Sequence, residues 1–319
     1  MDKGLVMRKV GTVKKSRQHH VWQQYLRAWS VDGLVYCLQD GRIFHTGTPA
    51  LGVANDFYKV GALTDEDLGL LHLLAGLEKT HPVVRQHHEM VLENILTPML
   101  FVKKYRNSLQ DIDKVDEILD EHNTNAVDNQ HTVIEAKFAP LLARTLRGDV
   151  SWYEDDAECI NFCNFVAAQH MRTQGVKNRT IARLKDRMGL DASRIWDVLA
   201  LILGFNLGCS LFLERRSRKL TLVRNDTEIP FITSDQPVIN ILSDGEAAPE
   251  ALSLYYPMSP TLALYMEQPN EVEKLPFETM TGEAVMFLNA KIATASHRQA
   301  YGHVPEPLQA VLLTRAKFG

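Results

Sequence analysis

Residues 18–29, Gln-His-His-Val-Trp-Gln-Gln-Tyr-Leu-Arg-Ala-Trp, set two adjacent imidazoles, amides, a tyrosine and an arginine among apolar anchors. Histidine transfers protons near neutral pH, which makes His20 a candidate general acid/base and gives His19 related chemistry. Arg27 can clamp a phosphate or carboxylate with its planar fork. A competing explanation is structural: Trp22, Leu26 and Trp29 anchor a strand or turn, and the polar residues between them are incidental surface.

Two further constellations lie far downstream. The run Phe231-Ile232-Thr233-Ser234-Asp235-Gln236-Pro237 carries a buried strand into Ser-Asp before a stiffening proline. Asp235 there can orient a histidine, bind a cation, act as a base, or simply bond the following backbone amides in a turn. Gln169 and Arg172 share a helix face near its C-terminus, where a cation also suits the helix dipole. Glu135 is a carboxylate in an otherwise apolar stripe and needs a cationic partner, for which Arg172 is the expected choice. Within Arg85-Gln86-His87-His88-Glu89 the two histidines diverge on a helix and lack metalloprotease spacing, so a solvated face is expected. Cys37, Cys159, Cys163 and Cys209 form no disulfide framework, and Cys159 and Cys163 are expected to be buried thiols one helical turn apart.

The elements that must hold these groups change character along the chain. Residues 34–38 and 42–45 flank Asp40-Gly41, a hairpin signal. Thr64, followed by Asp65, Glu66 and Asp67, predicts a capped helix through Leu77. Helices follow over about 82–96 (ending before Thr97-Pro98), 112–122, 132–146, 153–171 and 192–212. Strands are expected at 220–223, 230–233, 252–255 and 261–265, with turns at Asn225-Asp226, Asp244-Gly245 and Ser259-Pro260. Two helices close the chain, near 282–295 and 307–315. The fold class is α+β: a small mixed or antiparallel sheet built from both chain ends, with a large inserted helical array. One discontinuous domain over 1–319 is expected, its β-rich module from 1–62 and 218–319 and its helical insertion from 63–217.

With 45% hydrophobic and 23% charged residues, the 319-residue chain has an ordinary globular composition. The apolar run 195–213 is interrupted by Asp197, Gly204, Asn206 and Gly208, so a buried helix and its cap are expected rather than a membrane span. The N-terminal charges lack an apolar h-region, so a cytoplasmic location without a secretory signal is expected. The net charge of −4 argues against coating nucleic acid through bulk charge. Basic residues nevertheless cluster at Arg8, Lys9, Lys14, Lys15 and Arg17, and again at Arg215, Arg216, Arg218 and Lys219, which leaves room for a phosphate-bearing substrate. Walker A, dinucleotide, Gly-x-Ser-x-Gly and EF-hand sequences are missing, which removes nucleotide hydrolysis and lipase-like chemistry from the leading readings.

Together the motifs resemble the bacterial domain-of-unknown-function family numbered 4238. The resemblance rests on His20 through Trp29, Asp56-Phe57-Tyr58, Glu135, Gln169 through Thr173, Ile232 through Pro237, Pro257-Met258-Ser259-Pro260 and Asn289. Gln23 stands where the family has proline, and Trp29 where it has phenylalanine. The resemblance implies that His20, Tyr25, Arg27, Glu135, Arg172, Ser234, Asp235 and Asn289 converge, but supplies no activity. The expected function is a nuclease-like hydrolase of phosphodiesters, serving stress response or phage defence. His20, Glu135 and Asp235 are its catalytic candidates, and His19, Tyr25, Arg27, Gln169, Arg172, Ser234 and Asn289 its substrate contacts. A divalent cation (Mg²⁺ or Mn²⁺) is an expected cofactor, and nucleic acid or a nucleotide an expected partner, with no membrane. The alternative is a non-catalytic sensor that recognises a nucleotide or a protein.

Overall fold

The computed structural model describes residues 13–76, 80–243, 251–267 and 280–318, the last five as helical backbone only. Arg8, Lys9, Leu77 and the Asp244-Gly245 turn lie outside the described residues.

Asp40 and Gly41 both take positive φ (49° and 74°), which lets the chain reverse between strands β2 (Leu34–Gln39) and β3 (Arg42–Gly47). β2 also pairs with β10 (Gln299–Gly302), and β10 with the two-residue β6 (Thr233–Ser234), so one antiparallel sheet runs β3-β2-β10-β6. This sheet joins the two chain ends, as the α+β reading requires. A second antiparallel sheet, β5-β9-β8-β7, comes from Leu220–Arg224, Leu262–Met266, Leu254–Ser259 and Ile239–Asn240. A ribbon pairs β1 (Arg17–His19) with β4 (Val53–Asn55).

Nine helices occur among the described residues. A short turn, α1 (Gln23–Leu26), follows β1. In α2 (Asp65–Ala75), Thr64 and Asp67 form a reciprocal capping box, and Gly76 ends the helix in the left-handed region. α3 (Pro82–Tyr105) corrects the expected stop at Thr97-Pro98, because the helix runs through Pro98. Its apolar stripe, Leu92, Ile95, Leu96, Met99 and Val102, keeps helical spacing across the proline and packs in a core, which outweighs the lost backbone bond. α4 (Ile112–Thr145) is one 34-residue helix rather than two. The polar stretch at its centre is held from outside. Asn125 accepts from the Lys15 amide (2.9 Å), and the Thr124 carbonyl accepts from Gln18 Nε2 (2.6 Å).

α5 (Asp156–Met171) and α6 (Gln174–Met188) meet at Arg172-Thr173; α6 was not anticipated. α7 (Trp196–Leu213) has the length and apolarity of a membrane span, but half of it is buried in the structure. Its glycines are not a cap. A Cβ on Gly208 would stand 2.9 Å from the Cα of Asn164, and one on Gly204 3.5 Å from that of Ala168. They let α7 lie directly against α5. The His87-His88 segment is also no solvated face, because His88 is fully buried with Nε2 at 2.8 Å from Asn206 Oδ1, and His87 stacks on Phe205. Cys159 and Cys163 are buried with their sulfurs 4.0 Å apart. α8 (Gly282–Ala295) and α9 (Glu306–Phe318) follow as expected.

The larger core contains Tyr25, Leu26 and Trp29, both sheets, and residues of α4, α5 and α8. A second core joins Tyr58 and Val60 to α2, α3, α4 and α7.

Candidate functional site

β1 fixes the histidines. His19 pairs across the ribbon with Val53, and the His20 amide donates to the Gly52 carbonyl at 2.8 Å. Gly52 has φ +55°, and a Cβ there would stand 2.6 Å from that of Val21, so only glycine permits this crossing. Gln18 is buried between neighbours: its Nε2 binds α4, and its Oε1 accepts from the Tyr58 amide at 2.7 Å. The alternation along an extended chain then sends His19 and His20 into different clefts.

His20 lines a cleft of about 300 Å³ with Phe57, Gln174, Asp235, His297 and Gln299. Its ring stacks on Phe57, with centroids 4.8 Å apart. Burial, with Arg172 nearby, pushes its pKa down to about 3, so the imidazole is neutral. Asp235 faces this cleft but is already engaged. Its Oδ1 accepts from the His297 amide (2.8 Å), and its Oδ2 from those of Arg298 (2.7 Å) and Gln299 (3.0 Å). Ser234 Oγ closes the local turn by accepting from the Gln236 amide at 3.1 Å.

His19 lines a second, highly polar cleft of about 290 Å³ with Arg17, Arg27, Asp128, His131 and Glu135. Glu135 accepts from Arg172 at 2.7 Å, the partner expected for it from the sequence. Arg172 is only 3% exposed, whereas Glu135 is 18% exposed and reaches the cleft. Arg172 also donates to Gln169 Oε1, and Gln169 Nε2 donates to the His20 carbonyl at 3.0 Å. One buried hydrogen-bonded chain therefore links the backs of the two clefts. Burial raises the Glu135 pKa despite its guanidinium partner, and lowers that of His19 with help from Arg17.

The expectation of one shared centre is thus corrected. His20 and Asp235 line one cleft, His19, Arg27 and Glu135 the other, and Gln169 and Arg172 lie between. Tyr25 lies apart in the core: its fully buried hydroxyl donates to the Pro257 carbonyl and shares a hydrogen bond with Thr233 Oγ1, each at 2.6 Å. Asn289 bridges the Ile232 amide and the Pro230 carbonyl, both at 2.9 Å. It clamps the approach to Asp235 rather than facing either cleft.

Sequence reasoning missed His297, Gln299 and Gln174 in the first cleft, which nothing local marks. It also missed Asp128 and His131 in the second. With Thr132 and Glu135 these occupy positions i, i+3, i+4 and i+7 of α4, a stripe hidden once the helix is divided. The basic arm is partly neutralised, since Lys14 pairs with Asp120 and Lys15 with Asp128. In the second basic cluster Arg215 pairs with Asp156 and Arg218 with Glu214. Among the described residues no three His, Cys, Asp or Glu side chains stand together as a metal site.

No curated protein and no solved structure significantly matches the chain. The amino-terminal motifs precede the region that a family model matches. That region, residues 205–306, contains the Thr233-Ser234-Asp235 strand end, Pro257 through Pro260 and Asn289, and over it the chain matches the model of the family described as Protein of unknown function (DUF4238).

Proposed function

We propose that the protein is a nuclease-like hydrolase of phosphodiesters, with the Glu135 cleft as its centre. The supporting observation is a partly exposed carboxylate with a raised pKa, braced from behind by a buried guanidinium, in a cleft shared with His19, Arg17 and Arg27. A carboxyl group of raised pKa exchanges protons closer to neutral pH than an ordinary one. The neutral His19 imidazole can accept a proton, and the two arginines offset charge developing on phosphate. Asp128 and Glu135 are the carboxylates of this cleft, and a divalent cation bound with the substrate would meet them there. The cellular role proposed with this activity is stress response or defence against mobile DNA.

The test incubates purified protein with DNA and with RNA, with and without Mg²⁺ or Mn²⁺. Cleavage is expected, and Glu135→Gln and His19→Ala should each slow it by about 10²-fold or more. No cleavage under any condition, or full activity in folded Glu135→Gln, would overturn the proposal.

The His20 cleft favours a second reading, a non-catalytic binding module. Asp235 is saturated by backbone donors and His20 is a weak base, so this cleft suits recognition better than proton transfer. Ligand-induced stabilisation without turnover, abolished by His20→Ala but retained in Glu135→Gln, would support it.

A further inference from the structure

His131 lines the Glu135 cleft from α4, one helical turn before Glu135 itself. Its side chain is only 5% exposed, and its ring packs on that of Tyr58 with centroids 4.8 Å apart. Its Nδ1 has no hydrogen-bond partner among the described residues. His19 enters the same cleft from β1, and its Nε2 is likewise buried without a partner there. Burial lowers the pKa values of both imidazoles and keeps them neutral. A neutral imidazole carries one donor and one acceptor nitrogen.

The charges of the cleft are unevenly matched. Glu135 faces Arg172 at 2.7 Å and Asp128 faces Lys15 at 3.1 Å, so both carboxylates already have a cation. Arg17 donates to the Pro49 carbonyl at 3.2 Å, and neither it nor Arg27 has an ion-pair partner among the described residues. The surplus is positive, which attracts a phosphodiester and leaves little field to draw in a free divalent cation. Water attacking such an ester relies on activation, commonly by a metal ion. A hydroxyl on the neighbouring carbon of the substrate does not, because being held beside the phosphorus gives it an effective concentration of about 10⁵ M or more. Ribose carries that hydroxyl and deoxyribose lacks it.

We propose that the substrate of this cleft is RNA, cleaved through its own 2′-hydroxyl, and that His131 is the residue that recognises this hydroxyl. The inference rests on the hydrolase reading of the cleft and narrows its substrate. His131 hydrogen-bonds the 2′-oxygen, and His19 takes the hydroxyl proton. O2′ bonds to phosphorus, the bond to O5′ breaks, and the protonated form of Glu135 gives its proton to the departing O5′. A 2′,3′-cyclic phosphate and a 5′-hydroxyl result. Water then attacks the same phosphorus and loses its proton to the Glu135 carboxylate. The bond to O2′ breaks, and the His19 imidazolium protonates that oxygen, leaving a 3′-phosphate. The two arginines offset the charge on the phosphate oxygens in both steps.

The experiment incubates the full chain, in EDTA and in Mg²⁺, with an RNA oligonucleotide, the same sequence as DNA, and its 2′-O-methyl form. RNA is expected to be cut in both conditions to 5′-hydroxyl ends, with cyclic phosphate appearing before 3′-phosphate. The DNA and the 2′-O-methyl strand should stay intact. His131→Ala should slow RNA cleavage by about tenfold or more, the effect of one lost hydrogen bond. His131→Gln, which keeps hydrogen-bonding groups, should recover part of that rate, and it serves alone if the alanine variant does not fold. Cleavage of DNA or of the 2′-O-methyl strand, 5′-phosphate ends, or RNA cleavage abolished by EDTA would overturn the RNA proposal and leave a phosphodiester hydrolase standing. A wild-type rate in folded His131→Ala would overturn the role of His131. No cleavage of any strand in either condition would overturn the hydrolase reading as well.

Discussion

Asp235 and Glu135 are both carboxylates in poorly solvated surroundings, and their partners separate them. The two oxygens of Asp235 take three backbone amides from residues 297–299, which fixes the start of β10 beside β6. Asp235→Ala would leave those donors without their acceptor, at a cost of about 2–4 kcal/mol. Asp235→Asn, which keeps acceptor capacity, should recover part of that loss. Urea denaturation of both variants checks this, and an Asp235→Ala protein of wild-type stability would remove the bracing role. The residue types were legible before the fold was: a carboxylate in an apolar stripe demands a cation, and Arg172 supplies it. The sides of the chain to which His19 and His20 point were not, because that needs the pairing of β1 with β4.

The helices were legible where local chemistry is strong, as in the Thr64 capping box and in α8. They were misjudged where packing overrides propensity. The centre of α4 reads as a break because Asn and Thr compete with the backbone, yet partners on β1 and the amino-terminal arm satisfy them. Strands of two to four residues such as β6, β7 and β10 have too few alternations to carry a periodic signal. The α5–α7 contact offers a direct check. Gly208→Ala would drive a methyl toward the Asn164 backbone, so it should destabilise the fold by about 1–3 kcal/mol although alanine favours helix. Thermal and urea unfolding of Gly208→Ala measure this, and a stabilised variant would mean that the two helices separate freely.

The molecule as a whole buries several histidines in neutral form. Burial lowers the pKa values of His20, His131 and His170, that of His20 to about 3. Below pH 6.5 the unfolded chain therefore binds protons that the folded chain refuses, and stability falls as pH drops. For His20 the loss begins near 6.5 and continues toward 3, reaching on the order of 2 kcal/mol by pH 5. Glu135 and Asp235, whose pKa values burial raises, take up protons earlier in the folded state and offset part of it. Denaturation at pH 7.5 and pH 5 should show lower stability at the acid end, with a smaller difference in His20→Gln. Equal stability at both would contradict the buried neutral histidines.

Composition, caps, turn residues and hydrophobic spacing were enough to establish an α+β chain, its hairpin, most of its helices and the Glu135–Arg172 pair, because these follow from interactions within a few residues or from the cost of an unpaired buried charge. The division of the polar motifs between two clefts came from contacts between segments well separated along the chain, such as β1 with β4 and β6 with β10. Such contacts depend on which faces pack together, and a linear pattern of residue types does not specify that.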